Sequence, residues 1–212
     1  TEDDLVRLAP AKSHNSIERS MEQVQAAAEE EGAGPGSHFV PAGQTTQMIV
    51  GATPRSDATI LAKASELYNK RGLRRVYYSA FSPIPHAHAE LPAAAPPMVR
   101  ENRLYQADWL MRFYGFTAGE LTPAPDADLP LGMDPKLAWA LRHREFFPVD
   151  VNSASREALL RVPGFGVRNV KRILSVRRFH RLTATDLAKL RIPIRRSEPF
   201  ITVDGSSPRE LD

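Results

Sequence analysis

The stretch RVPGFGVRNVKRIL (161–174) sets Pro163 and two glycines around Phe165 directly in front of Arg168, Lys171 and Arg172 at helical spacing. Glycines two residues apart allow positive φ and close approach of the backbone. The residues after Gly166 are predicted to open a helix, whose first N–H groups lack intrahelical acceptors and carry the positive end of its dipole. Cations around such an end suit a phosphate.

Working outward, the same pattern recurs 30 residues on. SASREALLRVP (153–163) aligns with TATDLAKLRIP (183–193), hydroxyl residue on hydroxyl residue at both 153/183 and 155/185, and Pro163 on Pro193. The first copy continues Gly-Phe-Gly, whereas the second continues Ile194-Arg195-Arg196. Two helical hairpins are expected, of which only the first can bring its backbone close to a ligand. Charge agrees with this placement. Residues 136–196 hold 15 Lys and Arg against Glu145, Asp150, Glu157 and Asp186, a net of +11. The chain totals +3, so the rest carries −8. A basic end on an acidic body points to a polyanion-binding module attached to something else.

That body reads as α/β. HNSIERSMEQVQAAAEEE (14–31) is helical in pattern, with Ser16 as N-cap, and GAGPGS (32–37) stops it. Met48 to Ala52 is a short apolar run suited to a buried parallel strand. SDATILAKASELYNKRG (56–72) carries a helical apolar stripe ending at Gly72, and LRRVYYSAFSPIP (73–85) reads as a second strand. Strands at 47–52 and 74–81 around one helix imply a βαβ unit, too small to stand alone. A helix from Met98 to Gly115 follows, with Leu104, Ala107, Trp109, Leu110 and Phe113 as its expected buried set. TPAPDADLPLGMDP (122–135) reads as a linker. The domains are therefore placed at 1–98, a connecting helix and linker at 99–133, a helical domain at 134–200 and a tail at 201–212.

Several chemistries are excluded or unsupported. The chain has no cysteine, hence no disulfide, thiolate nucleophile or cluster held by its own thiolates. His86 and His88 stand two apart without a third ligand at fitting spacing, so no metal site is expected. No nucleophile–base triad, paired-carboxylate site, Walker loop or Rossmann fingerprint is present. No apolar run approaches the roughly 20 residues of a membrane span, and a cytoplasmic protein is expected. Beginning at Thr1, the sequence is expected to be a processed, trimmed or fragmentary product.

The pattern Leu-x-x-Val-Pro-Gly-Phe-Gly-x-x-x-Val-x-x-Ile resembles the helix–hairpin–helix motif of DNA repair proteins, and VDVNSASREALLRVPGFG (149–166) resembles that of competence-type DNA receptors. The resemblance implies duplex binding through phosphates without sequence readout, by Pro163, Gly164, Phe165 and Gly166, with Arg168, Asn169, Lys171 and Arg172 as flanking donors. It also implies that Asn152 and Ser153 cap the first helix. The alternative is a scaffold whose hairpin docks a partner subunit.

More widely, RLAPAKSHNSIERSM (7–21), FVPAGQTTQMIVGAT (39–53), RRVYYSAFSPIP (74–85) and PPMVRENRLYQADWLMRFYGF (96–116), followed by the hairpin, resemble the C-terminal half of the DNA modification or repair radical SAM proteins. That likeness implies the C-terminal part of an incomplete α/β barrel, with S-adenosylmethionine and a [4Fe–4S] cluster in the parent enzyme. Met48, Val50, Gly51, Ala52, Tyr77 and Ser79 take the places that would line the cofactor. Arg100, Arg103 and Gln106 share a helix face that would meet substrate. The cluster's three-cysteine loop and the first strands are absent, so the implied partners are DNA and the missing N-terminal half of the barrel, in the same parent protein or in another chain.

Overall fold

The computed structural model describes residues 2–30, 32, 39–86 and 89–205. The fold is mixed α/β and divides into two compact units. One comprises the described residues up to Tyr105 with Pro125–Ala127, the other Gln106–Ala124 and the described residues from Asp128 onward.

In the first unit, α1 (Glu2–Leu8) and α2 (His14–Glu30) precede β1 (Thr45–Val50), α3 (Asp57–Arg71), β2 (Arg75–Ala80) and the opening of α4 (Met98–Tyr114). The cap of α2 is Ser13, not Ser16. Ser13 Oγ accepts from the Ser16 amide at 3.1 Å, and Ser16 Oγ accepts in return from the Ser13 amide. The hydroxyl one turn earlier satisfies the orphan donor, and Ser16 becomes the reciprocal partner. Local signals place α3 well: Ser56 Oγ accepts from the Thr59 amide, and Gly72 closes the helix at φ 60°. Lys63 and Arg71 of α3 both reach Glu18 of α2 at 3.0 Å, and Arg71 also pairs with Glu22. Those carboxylates hold the two helices together, modestly for such solvated pairs.

β1 and β2 form a parallel pair, with Thr45 opposite Arg75 through to Val50 opposite Ala80. Alternation sorts their side chains: Val50, Val76 and Tyr78 are buried, while Ile49 and Tyr77 lie on an open face. No closed barrel forms among the described residues. The outer edge of β2 is sealed by side chains. Its alternate amides, at Val76, Tyr78 and Ala80, donate to Tyr68 Oη, Tyr105 Oη and Glu101 Oε2 at 2.8–3.0 Å. No side chain caps an amide of β1 in this way among the described residues. Arg100 is held in the fold, not presented to a substrate: it donates to the fully buried Asp57 at 2.8 Å and to the Arg55 carbonyl at 2.7 Å.

The second unit holds the rest of α4, then α5 (Ala118–Leu121), α6 (Pro135–Arg142), β3 (Val149–Asp150), α7 (Arg156–Arg161), α8 (Val167–Val176), α9 (Ala184–Lys189), α10 (Ile194–Ser197) and β4 (Ile201–Thr202). On α4, Leu104, Ala107 and Leu110 are buried as expected, but Trp109 and Phe113 are 54% and 40% exposed. One turn apart on a neighbouring stripe, they pack ring against ring at 4.3 Å, tilted by 48°, instead of entering the core.

The two hairpins share one core, which includes Leu159, Leu160, Phe165, Val170, Ile173, Leu182 and Leu187. Their repeat is stitched at equivalent positions. Asn152 donates to the Leu182 carbonyl at 3.0 Å and accepts from the Leu182 amide at 2.7 Å, so one side-chain amide stands in for a strand partner. β3 and β4 pair in parallel, and Ile201 and Val203 are buried, so residues 201–203 belong to this packing and not to a tail.

Candidate nucleic-acid interface

The hairpin turn lies between α7 and α8. Ser155 caps α7, accepting from the Ala158 amide at 3.1 Å. Asn152 and Ser153 do not: the first is engaged with Leu182, and Ser153 donates to Asp150 at 2.7 Å. Sequence reasoning placed the cap too early because three hydroxyl or amide side chains stand within four residues, and only packing separates them.

Of the residues expected to meet DNA, Pro163 and Phe165 are buried. They anchor the turn from beneath. Phe165 donates its amide to the Val162 carbonyl, which keeps the turn tight. The glycines differ. Gly164 has φ +88°, and a Cβ there would lie 3.3 Å from Arg196 Cβ. Gly166 has φ −101°, a value open to any residue, and is the N-cap of α8 without a capping side chain. The first intrahelical bond of α8 runs from the Val170 amide to the Gly166 carbonyl. The amides of Gly166, Val167, Arg168 and Asn169 therefore begin the helix with no intrahelical acceptor.

Arg168, Lys171 and Arg172 are exposed on one face of α8, beside those amides, while Val170 and Ile173 turn inward. Arg172 also donates to the Leu190 carbonyl at 3.2 Å, and Asn169 is half-buried. The structure thus brings open amides and at least two freely exposed cations, Arg168 and Lys171, to one end of one helix. The second hairpin lacks this arrangement, since α10 has four residues and Arg196 pairs with Asp134.

Not all the positive charge counted in the sequence faces outward. Arg142 donates to the carbonyls of Glu120 and Leu121. Arg161 pairs with Glu120 at 2.6 Å and lies 3.9 Å from the Phe116 ring centre. Arg177 donates to the carbonyls of Val151 and Ala154. Lys136 is buried, and its Nζ donates to the Phe165 carbonyl at 2.6 Å. Nothing in the sequence marks these as internal, because their partners lie 21 to 45 residues away.

A prediction separates the two glycines. Gly164→Ala forces a side chain into positive φ and is expected to destabilise by about 1–2 kcal/mol. Gly166→Ala keeps an allowed φ and meets only Tyr114 Oη at 3.4 Å, so it should lose only the smaller cost of a poorer N-cap, roughly 0.5 kcal/mol by urea unfolding. Equal losses in the two variants would show that the turn geometry does not discriminate them.

In the first unit, the residues placed by resemblance at a cofactor do not share one surface. Val50 is fully buried. Tyr77 and Ser79 lie on the open sheet face, where Ser79 Oγ accepts from Gln47 at 2.6 Å. Met48, Gly51 and Ala52 instead line a cavity of about 680 Å³ among α1, α2, α3 and β1. Gly51, at φ +82°, is required by Pro96, whose ring would meet a Cβ at 2.7 Å. A [4Fe–4S] cluster does not fit the residues present: there is no thiolate, and the described residues contain no group of three His, Asp or Glu that could hold a metal. His86 is exposed, and His88 lies outside the described residues.

No helix among the described residues is long and apolar enough to cross a membrane. Compared with protein families, curated proteins and solved structures, the chain matches none.

Proposed function

We propose that the second unit binds duplex DNA without sequence preference, holding phosphates of one strand at the start of α8. One observation carries this reading: an uncapped glycine N-terminus of a ten-residue helix, flanked by exposed Arg168 and Lys171. Orphan amides, dipole and full charges converge there on an anion. No side chain reaches out from the turn to read base edges, so contacts fall on the backbone.

We further propose that the first unit is the last part of a radical SAM-type barrel and that the DNA-binding unit serves that parent enzyme. Two features support this. The strand–helix–strand order is parallel, and the sealed edge of β2 ends the sheet on one side while the edge of β1 is left without such caps. The cluster would have to be held by cysteines outside this chain.

The test is fluorescence anisotropy with several labelled duplexes of unrelated sequence. Affinities within about threefold of one another are expected, since phosphate contacts carry no sequence information. Strong selectivity for one duplex would overturn the proposal, and no binding to any would leave the hairpin as a protein-docking scaffold.

A further inference from the structure

Lys136 is an unfavourable residue for its position. It is 7% exposed and sits in the first turn of α6, where the helix dipole disfavours a cation. No carboxylate among the described residues forms an ion pair with it, because Asp134 is engaged by Arg196 and by the Leu137 amide. Its ammonium has two partners. It lies 4.8 Å from the centre of the Tyr114 ring and donates to the Phe165 carbonyl at 2.6 Å. That second bond is short and charge-assisted.

The Phe165–Gly166 peptide is trans, so its C=O and N–H point in opposite directions within one plane. A carbonyl drawn inward to Lys136 turns the Gly166 N–H outward. That N–H is the first of the open amides of α8. The plane is held by the buried Phe165 ring and the Lys136 bond, and Tyr114 Oη stands 3.4 Å from where a Cβ on Gly166 would lie.

We infer that Lys136 is a positioning residue for phosphate binding: without touching DNA, its ammonium fixes the Phe165–Gly166 peptide so that the Gly166 N–H faces the bound phosphate. The positive charge on the carbonyl also polarises that peptide and strengthens its N–H as a donor. The role rests on the duplex-binding reading above.

The experiment compares the full chain with Lys136→Met and Lys136→Gln at about pH 6, where the folded chain keeps Lys136 charged, against one labelled duplex over a series of salt concentrations. Loss of one charge-assisted bond in the first variant should weaken binding about tenfold. The log–log salt slope should stay unchanged, because a buried ammonium releases no counterion from DNA. Lys171→Ala, by contrast, should lower the slope by about one. Lys136→Gln keeps an N–H donor without the charge and should recover part of the affinity. In ¹H–¹⁵N spectra, the Gly166 amide should shift in Lys136→Met, and its response to added inorganic phosphate should shrink.

Wild-type binding with an indifferent Lys136→Met would overturn this role alone. A slope lowered by one in that variant would show direct phosphate contact and overturn it too. Failure of the wild type to bind any duplex would remove both the reading and the role. Should Lys136→Met not fold, Lys136→Gln and the wild-type Gly166 response to phosphate decide the matter, and an unresponsive Gly166 amide counts against it.

Discussion

Raising salt from about 50 to about 200 mM is expected to weaken duplex binding roughly fortyfold, the loss for about three neutralised phosphates. The figure follows from the small size of the site. One helix start, with Arg168 and Lys171 free beside it and Arg172 partly engaged, spans few phosphates. The cations turned inward, such as Arg142, Arg161 and Arg177, add nothing to the slope. Replacing Arg168 and Lys171 together by Ala should lower the slope by about two. Fluorescence anisotropy over a salt series measures both. An isotherm that ignores salt, or a double variant with the wild-type slope, would place the contact elsewhere.

Between about pH 7 and about pH 9, Lys136 alone is expected to raise the unfolding free energy by roughly 2 kcal/mol. Burial pushes its ammonium down to about 7, opposed by the charge of Asp134 and assisted by Arg196 and Arg161. In the unfolded chain the same group has an ordinary lysine value. Above about pH 7, then, the folded chain holds the neutral amine while the unfolded chain still binds the proton. The folded state carries fewer protons, so stability climbs with pH until the unfolded lysine also titrates. Below about pH 7 both forms are charged, and the full penalty of burial remains. Urea unfolding of wild type and Lys136→Met at several pH values isolates the effect. The difference between them should be largest below about pH 7 and shrink steadily towards pH 9. A difference independent of pH would mean that Lys136 is charged throughout. The expected pairing of greater stability with weaker binding is what a residue kept for function, at a cost to the fold, would show.

Local chemistry was legible in the sequence, and long-range packing was not. Ser56 and Gly72 bound α3 within a residue of the expectation because a cap is a local bond. The parallel strands fell close to their expected places because apolar runs between turn residues have few alternatives. The caps at Ser13 and Ser155 were displaced because each competes with other hydroxyls within a turn. Trp109 and Phe113 were expected inside on hydrophobicity, yet the stripe through Leu104, Ala107 and Leu110 was already continuous without them. Two-residue strands such as β3 and β4 carry no pattern of their own, since their pairing joins residues 52 apart in sequence. The turn at the candidate site could be found from its glycines. The lysine beneath it could not, because Lys136 meets Phe165 across 29 residues and resembles any surface lysine until the core is built.

The sealed edge of β2 also governs how copies of this chain can associate. Tyr68, Tyr105 and Glu101 occupy the very amides that an incoming strand would need. A sheet with one blocked edge has no head and tail to join, so it cannot extend as a filament. Any strand added to it, from this protein or a second copy, has to come in beside β1, and two copies joined so would be related by a two-fold axis. Self-association through this sheet therefore stops at the pair, and three side chains set the limit.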